Sequence, residues 1–495
     1  MNSERPEQPP LALKVGADGR YLECAATAMP FLWIGDTAWE LFHRLDREEA
    51  LHYLDRRAAQ GFSVIQAVVL AESDGLRTPN AYGHAPLVDC DPARPNERYF
   101  EHVDFIVRAA NERGLFVALL PTWGDKVPNL AGGIGPVVFD ATNARHYGRF
   151  LGKRYRDTGV VWMLGGDRGI DTPTVLEIWR AMALGIREGD GGRHPMTFHP
   201  RGDASSGWWV HNEPWLDFNV FQSGHVARYL PVHRFAEELA LMRPRKPFLD
   251  AEPPYEDIPV RFWNYLKPHS PEPVPPRVLD RNGFLADTTH FRDGFFTDYD
   301  VRVHAYRNLL AGSCGHTYGN NAVWQMWRPG QPAAIPCLHD WRTALDRPGA
   351  NQIRHLRALF TRFPFDQLVP DQSLVFGPNG DGPDHVRAAI SEDRTFALAY
   401  LARARPLTMA TRKLTDAPLS ASWFDPRTGR TLPDRDLAQG GHASFEPPAS
   451  DPGLDWVLIL QSASPAPEAS QHRPAAAEPA ATPPMTKAAD DIVVR

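Results

Sequence analysis

The chain has little cysteine and no long apolar run. Its four cysteines, Cys24, Cys90, Cys314 and Cys337, are scattered among 495 residues with no CxxC pair and no short Cys/His spacing. That pattern supports neither a zinc site nor a dense disulfide framework. No stretch approaches the ~18 consecutive apolar residues of a membrane span. The opening residues, MNSERPEQPP, are polar and proline-rich where a secretory signal would be apolar. As written, the chain is expected in the cytoplasm, or in the periplasm should the true start lie upstream. An excess of positive charge is also missing: 53 Lys plus Arg stand against 60 Asp plus Glu, a net charge of −7. Nucleic acid is therefore not an expected partner, and neither is a membrane. HExxH, GxSxG, the P-loop and a GxGxxG following a strand are all absent. Metalloprotease, serine hydrolase, NTPase and dinucleotide chemistry thus lack support, and neither metal nor cofactor is predicted.

What is present is the composition of a globular protein with a sizeable core, 43% hydrophobic and 23% charged. From residue 30 to about 320, short apolar runs alternate with segments of helical period, the mark of βα units and a parallel sheet. Eight strands are predicted: Phe31–Gly35, Ser63–Leu70, Leu115–Leu120, Val160–Leu164, Pro195–His199, Asp217–Gln222, Pro247–Asp250 and Cys314–Tyr318. Most are continuous apolar runs, as strands buried on both faces are. Phe100, Val103, Val107 and Ala110 share one helical face before Gly114. Eight such units predict a (β/α)₈ barrel over residues 15–370, after a flexible start at 1–14. The proline-rich stretch from Val260 to Asp293 reads as a long loop over the barrel mouth. Short alternating runs such as Thr395–Leu401 and Trp456–Leu460, with a turn at 425–429, predict a smaller antiparallel β-sandwich at 371–462. The Ala/Pro/Ser/Glu-rich remainder, 463–495, reads as a disordered tail.

Reactive groups of such barrels gather where strands end at the C-terminal face. Strand one runs into Gly35-Asp36-Thr37-Ala38-Trp39, strand three into Pro121-Thr122-Trp123-Gly124-Asp125-Lys126, strand four into Gly165-Gly166-Asp167-Arg168, and strand seven into Asp250-Ala251-Glu252-Pro253-Pro254-Tyr255-Glu256. Two carboxyl groups flanking a bond, one protonated and one ionised, are the requirement of glycoside hydrolysis. Asp167 and Glu252 are the predicted catalytic pair. Asp167 follows two glycines that permit an unusual backbone, and Arg168 stands beside it. The competing readings are a helix N-cap for Asp167 and a buried ion-pair partner for Glu252. Glu256 is a nearby decoy. Glu213, in an Asn-Glu-Pro triplet between strands five and six, is another. Asp36, Trp39, Trp123, Asp125, Lys126, Arg168, His199, Gln222, Tyr255, His316, Tyr318 and Trp324 are the predicted substrate-binding set. The indoles would wall a sugar ring and the polar groups would bind its hydroxyls. His199, His211, His225 and His316 would have to converge in space to bind metal, which their spacing does not suggest.

Several of these segments together resemble the apiosidase family of glycoside hydrolases: GDTAWELFHRL (35–45), GFSVIQAVVLAESDGLRTPNAYG (61–83), LLPTWGDKV (119–127), WMLGGDR (162–168), AEPPYED (251–257), GHTYG (315–319) and WQMW (324–327). The resemblance implies a (β/α)₈ barrel that cleaves an apiosyl linkage in a pectic side chain of the rhamnogalacturonan II type. It maps the family's acid/base onto Asp167 and its nucleophile onto Glu252. The stretch TrpPheAspProArgThrGly at 423–429 resembles the small domain that accompanies this barrel and is sometimes labelled collagen-binding. An oligosaccharide or polysaccharide substrate follows. The alternatives are a barrel glycosidase of other sugar specificity and a sugar-binding barrel without turnover.

Overall fold

The computed structural model describes residues 11–266, 278–438, 440–451 and 453–462. The expected disordered tail lies outside the described residues, as do the first ten of the expected flexible start. Leu13–Val15 (β1) instead pairs antiparallel with Leu22–Cys24 (β2), which pairs with Pro30–Phe31 (β3). The apolar run read as one strand from Phe31 is thus divided, and the first barrel strand is Trp33–Thr37 (β4). The barrel continues through Val64–Leu70 (β5), Phe116–Thr122 (β6), Val160–Gly165 (β7), Met196–His199 (β8), Asn219–Gln222 (β10), Phe248–Asp250 (β11) and Gly315–Tyr318 (β12). A two-residue strand, Ala204–Ser205 (β9), runs antiparallel on β10 and carries no apolar run that would announce it.

All eight predicted strands are present, and their sheet order is β8-β7-β6-β5-β4-β12-β11-β10-β9. No ladder joins β8 to β10. The seam is held by Asp217 N donating to the Met196 carbonyl at 2.8 Å and Thr197 Oγ1 donating to the Phe218 carbonyl at 2.7 Å. Helices pack outside: Arg47–Gln60 (α1), Glu97–Glu112 (α2), Ala141–Tyr155 (α3), Pro173–Asp190 (α4), His233–Leu241 (α5), Asp298–Leu310 (α6) and Pro348–Arg362 (α7). Asp46 caps α1 and Asp140 caps α3, each through a reciprocal capping box. Gly148 and Gly152 of α3 face the backbone of α4 so closely that a Cβ at either would collide with it.

Side-chain alternation along the strands decides what can reach the mouth. In β4, Trp33 points into the barrel with Val64, Val68, Ala118 and Leu120, whereas Ile34 points outward into the helix layer with Ile65 and Leu119. Gly35 and Thr37 share the parity of Trp33, and Asp36 that of Ile34. In β12, Thr317 faces in, accepting from the Trp33 indole at 3.2 Å, so His316 and Tyr318 face out.

The C-terminal part is a six-stranded antiparallel sheet: Leu368–Pro370 (β13), Val386–Ser391 (β14), Phe396–Leu401 (β15), Trp456–Ser462 (β20), Leu419–Phe424 (β17) and Thr431–Leu437 (β18) in spatial order. Leu407–Met409 (β16) and Ala443–Phe445 (β19) form a second, smaller sheet. In β15, Ala397, Ala399 and Leu401 pack toward that smaller sheet, while Phe396, Leu398 and Tyr400 pack toward the barrel helices. Tyr400 stacks on Tyr306 of α6 with ring centroids 5.0 Å apart. Arg302 of α6 grips Asp455 through Nε and Nη2, each at 3.0 Å, and Tyr400 donates to the same carboxylate.

Arg302 and Asp455 are both buried, so removing Arg302 leaves the Asp455 carboxylate with the Tyr400 hydroxyl and only a 3.9 Å approach of Arg427 Nη1. Arg302→Met is expected to cost about 3–5 kcal/mol, measured by the midpoint of guanidinium unfolding. The pair Arg302→Met with Asp455→Leu should recover most of that loss. A double variant as unstable as the single one would refute this role of the ion pair.

Candidate active site

A cavity of about 660 Å³ opens where the barrel strands end, within the size range of small-molecule sites. Asp167, Glu252, Trp39, Trp123, Gln222, Tyr255 and Trp324 line it. Sequence reasoning had put all seven in one pocket. The backbone that delivers Asp167 is unusual: Gly165, Gly166 and Asp167 have φ of 86°, 113° and 55° in succession. A Cβ on Gly165 would collide with the His199 carbonyl, and one on Gly166 would stand 2.8 Å from Gly124 N. Only glycine serves at both places, and aspartate is among the few residues that enter the left-handed region readily. Asp167 is not the helix cap, since Thr172 accepts from Val175 N at the start of α4.

Glu252 stands two residues beyond β11 and is 7% exposed, so its charge needs partners. His199 Nε2 lies 3.2 Å from Glu252 Oε2, off the line of a well-directed hydrogen bond, and His225 Nε2 lies 3.5 Å from Oε1. His225 Nδ1 accepts from Tyr255 N at 3.4 Å, which leaves its Nε2 to carry a proton toward the carboxylate. The Tyr255 hydroxyl accepts from the Trp39 indole at 3.1 Å and faces Glu252. Burial alone would push the Glu252 carboxyl up, but the two imidazoles at its oxygens outweigh it and hold the group down at about 2.

Asp167 goes the other way. Burial and the neighbouring Glu252 charge raise it above the ordinary aspartate value, against the pull of Arg168, whose Nη1 lies 3.0 Å from Asp167 Oδ2. Two carboxyl groups in one cavity, one held ionised and one biased toward its acid form, can supply a nucleophile or base together with a general acid.

The other predicted residues surround this cavity without lining it. His199 lies beneath it, touching Glu252 and packing edge-on to Trp39 with centroids 5.4 Å apart. Arg168 binds the Asp167 carbonyl and carboxylate and the Gly132 carbonyl. Asp125 and Lys126 form a fully buried pair at 2.6 Å, and Asp125 Oδ2 accepts from Gly135 N, so the pair anchors the loop that carries Ile134 to the cavity. Three expectations need correction because strand parity turns the side chain into the helix layer. Asp36 is bound there by Arg57 Nε at 2.7 Å and by the Tyr53 hydroxyl. His316 meets Asn308 of α6, and Tyr318 donates to Glu256. Glu256 also accepts from Gly349 N, and Glu213 is ion-paired with Arg180 on the outer face. Of the four histidines, His199 and His225 converge on Glu252 while His211 bonds Asn219 and Pro244 elsewhere. Among the described residues no group of three or more His, Cys, Asp or Glu could hold a metal ion.

Several lining residues escaped sequence reasoning. Glu72 and Ser73 come two and three residues after β5, so the strand-end rule applied to the second strand would have found them. Burial, with Asp167 next in effect, pushes the Glu72 carboxyl up to about 8. His225 had been weighed only as a metal ligand. Phe262, Trp263 and Leu266 come from the loop expected over the mouth, whose sequence gives no register from which to choose them.

This barrel, with its split acidic pair in an aromatic-walled cavity, is a glycoside hydrolase. A solved structure described as "Glycoside hydrolase" is 31% identical, with a TM-score of 0.79 over 94% of this chain and 100% of its own. A glycoside hydrolase family 5 structure from Bacteroides vulgatus ATCC 8482 is also 31% identical, with a TM-score of 0.77 over 91% of this chain and 93% of its own. A further structure from that organism, at 14% identity and a TM-score of 0.61, shares the fold. Residues 16–367 match the family model "Apiosidase-like, catalytic domain", and the chain belongs to that family. Residues 369–461 match a model described as "Putative collagen-binding domain of a collagenase". No curated protein matches the chain.

If the two histidines hold Glu252 ionised, removing one should raise its pKa. The sign follows from the depressed carboxyl: the ionised form is present above its pKa and lost as pH falls through it. His225→Ala is therefore expected to move the acidic limb of the kcat/KM profile upward by about one pH unit or more, read on an activated aryl glycoside in brief assays from about pH 2 upward, so that the wild-type limb is included. An unshifted limb with a merely lower plateau would assign His225 a packing role only.

Proposed function

We propose that the enzyme hydrolyses an apiosyl linkage in branched pectic glycans of the rhamnogalacturonan II type, with retention of configuration. Glu252 is the nucleophile and Asp167 the acid/base in this reading. The observation that carries the chemistry is the opposite displacement of two carboxyl groups sharing one cavity. Retention would require the two carboxyl groups to stand about 5–5.5 Å apart, against the wider gap that admits a water molecule in inverting enzymes. Family membership supports the apiosyl specificity, and Trp39, Trp123 and Trp324 offer apolar walls suited to a small furanose ring.

In the first step the ionised Glu252 attacks the anomeric carbon while Asp167 gives its proton to the departing glycosidic oxygen. In the second, Asp167 takes a proton from water, which attacks the same carbon and releases Glu252. Tyr255 and the two histidines orient the nucleophile, and Arg168 fixes the acid. A different glycone is the second reading, favoured by the family 5 designation of one relative. A purely sugar-binding barrel has no need of a carboxylate held ionised beside one biased toward its acid form.

Product analysis on rhamnogalacturonan II oligosaccharides and a panel of aryl glycosides tests the specificity, and proton NMR of the first-formed anomer tests retention. Glu252→Gln should abolish turnover of every substrate, by about 10⁴-fold or more, with binding nearly intact. Asp167→Asn should nearly eliminate cleavage of natural glycans yet spare much of the first step on an aryl glycoside with a good leaving group. Added azide should then restore the second step in part. Equal losses on both substrate types, with no azide effect, would remove Asp167 from the acid/base role.

A further inference from the structure

Asp250 is the last residue of β11, two positions before Glu252, and it is wholly buried. Its neighbour Leu249 packs inside the barrel, so strand parity turns the Asp250 carboxyl outward, toward α6 and away from the sugar. Burial pushes this carboxyl up to about 7, and the groups that bind it are neutral. Ser223 Oγ donates to Oδ2 at 2.6 Å, Asn308 Nδ2 of α6 donates to the same oxygen at 3.1 Å, and Ser223 N donates to Oδ1 at 3.3 Å. The Glu252 N–H faces it as well. The imidazoles on this side, His304 of α6 and His316 of β12, are each held down at about 3 by burial and so carry no charge at neutral pH.

Ser223 opens the segment that carries one of the two imidazoles on the nucleophile. It follows β10 directly, and His225 comes two residues later with its Nε2 3.5 Å from Glu252 Oε1. Between them Gly224 donates to the Glu252 carbonyl at 2.9 Å, and Ala251 N donates to the Phe221 carbonyl at 2.9 Å. One strand end is thus laced to the next. Gly224 has φ of 63°, a turn that glycine enters and leaves freely, so the direction of His225 depends on what clamps either side of it. Arg261 N, donating to the His225 carbonyl at 2.9 Å, and Tyr255 N hold the far side. Asp250 holds the near side through Ser223. The Ser223 hydroxyl also lies 3.5 Å from His304 Nδ1, and His304 Nε2 faces the Arg228 carbonyl at 3.2 Å and so carries the ring proton. The tie therefore survives either state of Asp250: the carboxylate accepts from Ser223, and the protonated carboxyl can donate to Ser223 Oγ while the hydroxyl proton turns to His304.

We propose that Asp250 is a positioning residue for the nucleophile: through Ser223 it fixes the strand end from which His225 reaches Glu252. The inference rests on Glu252 as the nucleophile. Asp250 itself touches neither the substrate nor the reacting atoms, and its effect on the reaction passes through the imidazole.

Asp250→Asn keeps the shape of the side chain but sets an amide donor against Asn308 Nδ2 or Ser223 N. Ser223→Ala breaks the tie with a smaller change and serves should the first variant fail to fold. Each is made alone and in the His225→Ala background, and assayed on the activated aryl glycoside from about pH 2 upward. Alone, each is expected to lower kcat about tenfold with KM nearly unchanged, and to move the acidic limb of kcat/KM upward by about half a pH unit or more, the direction of His225→Ala. In the His225→Ala background neither should move the limb further, because the imidazole whose place they set is gone. Ser223 lines the cavity, so a lost substrate contact would instead raise KM and leave the limb in place. That result would overturn the proposal, as would a limb shift that adds in full to the shift of His225→Ala. Failure of Glu252 as nucleophile shows separately, as turnover that survives Glu252→Gln.

Discussion

The site is organised around a negative charge that has been taken out of water. An isolated carboxylate loses several kcal/mol of hydration on burial, and in most settings it takes up a proton instead. Glu252 stays ionised because two imidazoles from separate strand ends, His199 after β8 and His225 after β10, approach its two oxygens. Those strands meet at the barrel seam that lacks a ladder. The hydrogen bonds that close the seam therefore also bring the two histidines to one carboxylate. Tyr255, tied to Trp39 from beyond β4, completes the enclosure. The same buried charge then acts on Asp167, since a second ionisation in that cavity is opposed by the first.

The barrel and the acidic pair were legible in the sequence because they rest on local signals. Apolar runs of strand length mark β4 to β8 and β10 to β12, and Gly-Gly-Asp can follow a strand only where the backbone must turn sharply. Parity was less legible. Asp36, His316 and Tyr318 lie in strands whose residues are buried on both faces, so hydropathy does not distinguish the inward set from the outward one. The sorting comes from neighbours: Arg57 of α1 waits for Asp36, and Asn308 of α6 for His316. A charged residue at a strand end was read as a ligand of the substrate when it is a ligand of the helix layer.

The loops were the least legible part. Phe262, Trp263 and Leu266 reach the cavity from a segment with no periodicity, where only the folded chain sets which side chains point inward. Ile134 reaches it because the Asp125–Lys126 pair, itself predicted to bind substrate, fixes the loop by accepting from Gly135 N. The residues of that motif are thus tied to the cavity through the backbone they hold.

Glu72 gives the cavity a third carboxyl, and the direction in which each of the three is displaced follows from its partners. Glu252 has two imidazoles at its oxygens, which outweigh its burial and hold it down at about 2. Asp167 has one guanidinium but also feels Glu252, so its proton is held longer. Glu72 is pushed up to about 8, since burial is joined by repulsion from Asp167, Asp125 and Glu40 and offset mainly by Arg168. That direction favours the protonated form of Glu72 at neutral pH. A neutral carboxyl there adds no negative charge to oppose the ionised nucleophile, and it can donate a hydrogen bond into the cavity it lines.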